Sequence, residues 1–158
     1  MMHDLLFQLK SQADSDYIGE PISQLEHSLQ AASLARAAGE SESLVLAALF
    51  HDIGHWCSAG KVSETQVGVV DHDRIGEQYL KQQGVAEKIS SLVGLHVQAK
   101  RYKAFFENGY EQKISPASLQ TLSLQGGPMN AAEAKTFESN PYVQEALNLR
   151  GYDEAAKK

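Results

Sequence analysis

Histidine and aspartate are the residues of this sequence best suited to carry chemistry. Five of the six histidines lie between positions 27 and 96. Among them, His51 is followed directly by Asp52, and this pair comes at the end of the most apolar stretch of the chain, residues 44–50. A buried imidazole and a buried carboxylate are costly unless they are paired or bind a metal ion. The pair therefore predicts a metal site or a catalytic site.

The other candidate ligands fall on different predicted helices. They are His27, His72 and His96. A single histidine on such a helix is more often an ordinary core or surface residue, but here that explanation must hold several times over. Imidazole and carboxylate together suit iron, manganese, zinc or nickel rather than calcium or magnesium, and the two oxygens of Asp52 can bridge two cations. His55 lies four residues after His51, on the same helical face and near enough to act from outside the ligand shell. His3 is interpreted as an exposed terminal residue.

Hydrophobic spacing predicts that helices position these residues. The predicted helices cover residues 5–9, 22–35, 41–56, 71–83, 85–100, 116–124, 130–138 and 141–149, with a loop at 58–70. Gly39 and Gly84 are expected to end two of them, and Ser41 and the Ser115-Pro116 pair to begin two others. No stretch shows the alternation typical of a strand. The sequence therefore predicts an all-α helical bundle that forms a single domain over residues 1–158.

Composition and charge exclude several other classes of function. The chain has 158 residues, 42% of them hydrophobic, and a formal net charge of −6. An acidic chain repels phosphate backbones, so we expect no nucleic-acid partner. No apolar run is long enough to span a membrane, and the first residues do not have the pattern of a signal peptide. The single cysteine, Cys57, cannot form an internal disulfide, and we expect a cytoplasmic protein.

The order of the candidate ligands resembles that of the HD superfamily. Its pattern is an early histidine, an adjacent His-Asp pair and a late aspartate, which correspond here to His27, His51-Asp52 and Asp153. His72 and His96, between the pair and the late aspartate, resemble the dinuclear branch of that superfamily. This branch contains both phosphohydrolases and mixed-valent diiron oxygenases, so the ligands alone leave the reaction open.

The residues around the candidate ligands resemble the oxygenases. The resemblance is carried by the segments DYIGEPISQLEHSLQAA (16–32), VLAALFHDIGH (45–55), GLHVQAKRY (94–102), SPASLQTLSLQGGPM (115–129) and LRGYDEAAK (149–157). These segments are similar to HD-domain diiron oxygenases of the glycine-forming 2-amino-1-hydroxyethylphosphonate dioxygenase type, which are related to myo-inositol oxygenase. His55 matters most, because many dinuclear HD hydrolases carry lysine at its position. The loop at 58–70 departs from the pattern.

The resemblance implies two iron ions in a mixed-valent Fe(II)/Fe(III) pair, with O2 as co-substrate. It implies these ligands: His27, His51, Asp52 and Asp153 for one iron, and Asp52, His72 and His96 for the other. Tyr17 would occupy the open position of the second iron until substrate displaces it, and Glu20 would bind the ammonium group of the substrate. The remaining substrate contacts would come from His55, Lys100, Ser118 and Arg150.

The chemistry of the proposed substrate contacts agrees with these roles. Lys100 and Arg150 have the charge that a phosphonate dianion needs, and Glu20 has the opposite charge for an amine. Tyr17 and Glu20 lie on a segment interrupted by glycine and proline that could move as a lid. Ordinary explanations remain open: a solvated helix face for Lys100, a favourable helix C-terminus for Arg150, and an unremarkable helical serine for Ser118.

The implied function is cleavage of a carbon–phosphorus bond in phosphonate catabolism. A diiron oxygenase would convert a small 1-hydroxy-2-aminoalkylphosphonate and O2 into phosphate and an amino acid such as glycine. A dinuclear HD phosphohydrolase that acts on a nucleotide or phosphomonoester is the alternative, because the same six ligands would serve it. A third hypothesis is a metal-stabilised regulatory or binding module without turnover.

Overall fold

The computed structural model of the chain describes residues 24–53, 64–65, 68–69 and 72–156. The elements in these ranges are α1 (Gln24–Ala37), α2 (Glu42–Phe50), β1 (Glu64–Thr65), β2 (Gly68–Val69), α3 (His72–Gln82), α4 (Glu87–Phe106), α5 (Tyr110–Lys113), α6 (Pro116–Leu124), α7 (Ala131–Glu138) and α8 (Val143–Ala155). The two short strands pair antiparallel, with Glu64 opposite Val69 and Thr65 opposite Gly68. The all-α prediction is confirmed, although the predicted loop at 58–70 contains this small strand pair.

Capping residues set several helix ends where the sequence predicted them. The Ser41 side chain accepts a hydrogen bond from the Leu44 backbone N–H at the start of α2. Ser115 does the same for the Ser118 N–H at the start of α6, with Pro116 in its first turn. Gly39 and Gly84 adopt the left-handed backbone, with φ of 80° and 78°, after α1 and α3. Such positions strongly favour glycine, so these ends follow from local sequence.

Three predicted helix ends are wrong. The helix predicted for 141–149 is α8 and continues to Ala155, and the helix predicted for 85–100 is α4 and continues to Phe106. The helix predicted for 41–56 is α2 and ends at Phe50, and residues 51–53 form a turn. Packing explains the extension of α8, since Arg150, Asp153 and Ala156 are all buried. Tertiary contacts of this kind override the low helix propensity of Gly151. The helix predicted for residues 5–9 lies outside the described residues.

Helix α4 is central to the packing and contacts α2, α3, α5, α7 and α8, while α8 also packs against α1 and α2. The core contains fully buried side chains from three of these helices, such as Phe50, Leu92 and Leu149. Small residues let the helices approach closely, since Ala31 and Ala47 have no exposed surface. This arrangement places one end of α1, the turn after α2 and the last turns of α8 around one crevice.

Arg101 links α4 by hydrogen bonds to the turn between α6 and α7 and to α7 itself. Its Nε donates to the Gly127 carbonyl at 2.8 Å, and its Nη1 and Nη2 donate to the Glu133 carboxylate at 2.9 and 3.0 Å. Gly126 lies against this guanidinium with a φ of 110°. A bidentate arginine–carboxylate pair fixes direction as well as distance, so Arg101 holds the end of α6 in place. No described helix has the length and apolar character needed to cross a membrane.

Candidate metal centre

Four of the predicted ligands converge in the crevice. They form the histidine–aspartate cluster, His27, His51, Asp52 and Asp153. Each offers one ligand atom, and these atoms all lie within 4.8 Å of one another. The Asp153 Oδ1 lies 2.7 Å from the His27 Nε2 and 3.1 Å from the His51 Nε2. The Asp52 Oδ2 lies 3.2 Å from the His51 Nε2. All four side chains are buried.

Backbone carbonyls fix the ring orientation of the histidines. The Nδ1 of His27 donates to the Ala156 carbonyl at 2.9 Å, and the Nδ1 of His51 donates to the Ala48 carbonyl at 2.6 Å. Because a carbonyl oxygen only accepts hydrogen bonds, each Nδ1 carries a proton. In the neutral imidazole, each Nε2 therefore presents a lone pair to the centre of the crevice. This arrangement is typical of histidines that bind metals.

The donor set fits a divalent transition metal. The Nε2 atoms of His27 and His51, whose lone pairs point inward, lie 3.1 Å apart, and both are within hydrogen-bond distance of the Asp153 Oδ1. Lone pairs at these distances repel one another unless a proton or a metal cation lies between them. Bonds from such metals to imidazole and carboxylate are roughly 2.0–2.2 Å, so neighbouring ligand atoms are expected about 3 Å apart. The distances observed are of that size.

The electrostatics of the cluster also favour a cation. Burial lowers the pKa of His51, but the charges of Asp52 and Asp153 outweigh burial and hold this pKa well above its ordinary value. Burial raises the pKa of Asp153, but the Arg150 guanidinium, with help from His51 and His27, holds it well below its usual range. Both directions show that the buried carboxylates attract positive charge. A bound metal ion would satisfy the same demand.

Asp52 lies between the two histidines of the cluster and His96. Its Oδ2 faces His27 and His51, while its Oδ1 lies 3.7 Å from the His96 Nε2. The Nδ1 of His96 donates to the Val93 carbonyl at 2.6 Å, so this Nε2 also presents a lone pair. His72 begins α3, but its side chain lies outside the described residues. The geometry suits a bridging role for Asp52, and the second metal position stays a prediction.

Two cations, one on α4 and one on α8, are buried. Lys100 and Arg150 are 4% and 3% exposed. With the hydroxyls that bond them, from Ser118, Thr121 and Tyr110, they form the cationic wall. The Lys100 Nζ donates to the Thr121 Oγ1 at 2.9 Å, and that hydroxyl donates to the Ser118 carbonyl at 3.0 Å. The interpretation of Lys100 as part of a solvated helix face is therefore wrong.

Arg150 joins the cationic wall to the cluster. Its Nη1 bonds the Asp153 Oδ2, its Nη2 lies 3.5 Å from the Ser118 Oγ, and its Nε donates to the Tyr110 hydroxyl at 3.1 Å. Because α8 continues to Ala155, Arg150 lies in the interior of the helix and not at its C-terminus. The helix-end explanation of Arg150 is therefore wrong. A single guanidinium serves a candidate metal ligand and a candidate anion site.

Tyr110 and Thr121 were not predicted as members of the site. Thr121 carries a weak signal, since it comes three residues after Ser118 on α6 and so lies on the same helical face. Tyr110 begins the one-turn helix α5, directly after Gly109 with a φ of 79°. That glycine marks a sharp change of direction, but no local pattern shows that the next side chain turns inward. The predicted Tyr17, Glu20 and His55, and also His3, lie outside the described residues.

Comparison with known proteins identifies the family. The HD domain family model matches residues 25–134. The chain is 40% identical over 145 residues to an uncharacterized protein of Acanthamoeba polyphaga mimivirus, covering 90% of this chain and 66% of the relative. It is 39% identical over 146 residues to [1-hydroxy-2-(trimethylamino)ethyl]phosphonate dioxygenase (glycine-betaine-forming) of Leisingera caerulea, covering 92% and 74%. It is 36% identical over 154 residues to hydroxymethylphosphonate dioxygenase of Gimesia maris, covering 96% and 76%.

These matches agree with the resemblance seen in the sequence. The chain spans between 66% and 76% of the length of these relatives. The matched HD domain ends before Asp153, yet the fold places Asp153 against His27 and His51, which lie within the match. The chain thus belongs to the HD-domain family, and it is homologous to enzymes named as phosphonate dioxygenases.

Proposed function

We propose that this chain is a diiron oxygenase that uses O2 to cleave the carbon–phosphorus bond of a 1-hydroxyphosphonate, releasing phosphate and a carboxylic acid. One observation supports this most strongly. The lone pairs of the histidine–aspartate cluster face a common centre, and one of the two buried cations, Arg150, bonds a member of that cluster, Asp153. The two cations, on the same side of this centre, have the charge that the phosphonate of such a substrate needs. A metal centre beside an anion site is the combination that such a substrate requires.

The names of the relatives support the substrate class. Both named substrates carry a hydroxyl and a phosphonate on the same carbon, and they differ in whether an amine is present. Lys100 and Arg150 match the charge of the phosphonate. Our finer proposal is 2-amino-1-hydroxyethylphosphonate, with glycine as the product, because Glu20 supplies a carboxylate for the ammonium group.

The proposed ligands divide into two overlapping sets. His27, His51, Asp52 and Asp153 would hold one iron, and Asp52, His72 and His96 would hold the other. When bound, a mixed-valent iron pair supplies the redox chemistry with O2. Tyr17 would bind at this centre until substrate displaces it, and His55 would contact the substrate.

The rest of the protein contributes binding, orientation and exclusion of water. Lys100, Arg150 and Ser118 hold the phosphonate, which fixes the direction of the adjacent carbon–hydrogen bond relative to the centre. Because this wall is buried, the electrostatic interactions of its charges with the substrate are stronger than they would be in water, and water is kept from the reacting carbon.

The stoichiometry of the reaction gives a direct test. The carbon–phosphorus bond breaks, and the two atoms of O2 are divided between the carboxylic acid and the phosphate. We therefore expect iron-reconstituted protein, given 2-amino-1-hydroxyethylphosphonate, to consume O2 and release phosphate in equal amounts. 2-Aminoethylphosphonate, which lacks the 1-hydroxyl, is the matched control and should give neither.

The same experiment separates the competing functions. Phosphate release from nucleotides or simple phosphate esters, without O2 uptake, would move the chain to the alternative, an HD phosphohydrolase. Bound iron without turnover of either substrate class would favour a binding or regulatory module.

Glu20 allows the amine to be tested separately. Replacing Glu20 with Ala should raise the KM for 2-amino-1-hydroxyethylphosphonate by about tenfold or more, because a charge-assisted bond to the ammonium is lost. The KM for hydroxymethylphosphonate, which has no amine, should not change, and neither should the iron content. Equal KM values for the aminated substrate in both proteins would show that the aminophosphonate assignment is wrong.

A further inference from the structure

Tyr110 brings a hydroxyl into the buried site from outside the predicted set of residues. The short helix α5 begins at Tyr110, immediately after the left-handed Gly109, and the tyrosine is only 2% exposed. Its hydroxyl accepts a hydrogen bond from the Arg150 Nε at 3.1 Å. A buried phenol normally has such a partner, but this partner is also bonded to a candidate metal ligand.

The three nitrogens of Arg150 have three different hydrogen-bond partners, and the Glu154 Oε2 also lies 3.7 Å from Nε. Nη1 bonds Asp153 in the cluster, Nη2 faces Ser118 in the cationic wall, and Nε bonds Tyr110. A guanidinium has five N–H groups in one rigid plane, and these contacts account for three of them. The orientation of the guanidinium plane therefore decides where the remaining two N–H groups point. Of the three partners, Tyr110 is the one that is neither a candidate metal ligand nor a proposed phosphonate contact.

The hydroxyl of Tyr110 is itself anchored on its outer side. It bonds Glu154, and the Glu154 Oε1 accepts from the Lys103 Nζ at 2.8 Å. Lys103 also lies 5.3 Å above the centre of the tyrosine ring. Burial raises the pKa of the Tyr110 hydroxyl, so the phenol keeps its proton and can donate it to Glu154 while it accepts from Arg150. A chain of bonds thus runs from Lys103 through Glu154 and Tyr110 to Arg150.

We propose that Tyr110 is a positioning residue, whose hydroxyl sets the plane of the Arg150 guanidinium so that one group serves both Asp153 and the phosphonate of the substrate. Without the bond to Nε, the guanidinium can turn about its link to Asp153, and its free N–H groups lose their direction. The phosphonate half of this inference rests on the proposed function. The half that concerns Asp153 rests on the geometry alone.

The test uses two tyrosine-to-phenylalanine variants of the iron-loaded protein. Tyr110→Phe keeps the buried ring and removes the hydroxyl. Tyr102→Phe is the matched control, since the Tyr102 hydroxyl donates to Glu138 at 2.6 Å on the surface, away from the cluster. We expect Tyr110→Phe to raise the KM for the hydroxyphosphonate about tenfold, the loss typical of a bond to a charged group. The kcat should change by less than about threefold, and Tyr102→Phe should match wild type.

A second readout does not depend on turnover. The rate at which iron passes to a strong chelator should rise several-fold in Tyr110→Phe, since partners of ligands typically change metal affinity by about 10–100-fold, and it should stay unchanged in Tyr102→Phe. Wild-type rates of iron loss and a wild-type KM in Tyr110→Phe would overturn the proposal. If wild type has no oxygenase activity, the proposed function fails, and the chelator assay still decides the role of Tyr110.

Two further variants guard against a general structural effect. If Tyr110 acts through Arg150, adding Tyr110→Phe to Arg150→Lys should change KM by less than about twofold, because the two residues are coupled. Additive losses would show an independent role and overturn the proposal. Glu154→Gln keeps the phenol and weakens both its outer anchor and the 3.7 Å contact between the Glu154 Oε2 and the Arg150 Nε, so it tests how the Nε side of the guanidinium is held if Tyr110→Phe does not fold. A smaller increase in KM is expected there, and no increase would overturn the proposal.

Discussion

The histidine–aspartate cluster and the cationic wall lie side by side but are held by different parts of the chain. Main-chain carbonyls of Ala156, Ala48 and Val93 hold the Nδ1 atoms of the three described histidines near the centre. In the wall, side-chain hydroxyls of Thr121, Ser118 and Tyr110 bond the two cations. Substitution of a residue can remove its side-chain hydroxyl, but it leaves the backbone carbonyl in place. Single substitutions can therefore alter the wall while they leave the bonds that hold the histidines of the centre in place.

The largest effect should come from removing a ligand of the cluster itself. Asp52→Ala deletes the carboxylate that lies between the two groups of histidines, and iron content should fall to near zero. Loss of a residue that only supports a ligand typically lowers metal affinity by about 10–100-fold, so loss of the ligand should exceed that. Iron per chain, measured after buffer exchange, checks this, with circular dichroism as the control for folding. A variant with wild-type iron content would show that Asp52 is not a ligand of the centre.

Thr121→Val should have an intermediate effect that is confined to the wall. The substitution keeps the shape of the side chain and removes the acceptor beneath the Lys100 ammonium. We expect the KM for the hydroxyphosphonate to rise about tenfold, with iron content unchanged. The matched control is Thr136→Val on α7, where the hydroxyl is exposed and bonds the Ala132 carbonyl. If both variants behave alike, the wall does not depend on its hydroxyls.

The smallest effect on the site should come from Val93→Ala. Val93 is fully buried, and its carbonyl, which holds His96, survives the substitution. The free energy of unfolding in urea should fall by about 2 kcal/mol because a cavity is left, while iron content and KM stay at wild-type values. Loss of iron in this variant would contradict the proposed difference between the centre and the wall, because it would show that side chains near the cluster hold the histidines.

All four residues of the cluster were among the predicted ligands, whereas Thr121 and Tyr110 of the wall were not predicted, for a physical reason. The cluster is marked by residue types that are costly to bury without a partner, and the adjacent His51 and Asp52 locate it even without a structure. The wall depends on contacts between distant segments, since the Tyr110 hydroxyl and the Arg150 Nε are 40 residues apart. No local periodicity records such a contact.

Helix ends also divide into those set by local sequence and those set by contacts between distant residues. Ser41, Ser115 and the left-handed glycines act on their own neighbours, so the ends they set were predicted. The extension of α8 past Leu149 is decided by burial of Arg150 and Asp153 against other helices. Local propensity cannot account for burial against residues that are far away in the chain.

The contacts of His27 have a consequence for the order in which the protein forms. Its Nδ1 meets the Ala156 carbonyl 129 residues later, and its Nε2 meets Asp153 126 residues later. Contacts with such large sequence separation form late, because closing a long loop costs entropy before the contact compensates for it. A nascent chain can display His27, His51 and Asp52 before α8 has been synthesised. We therefore expect the histidine–aspartate cluster to bind a metal ion only after α8 is complete.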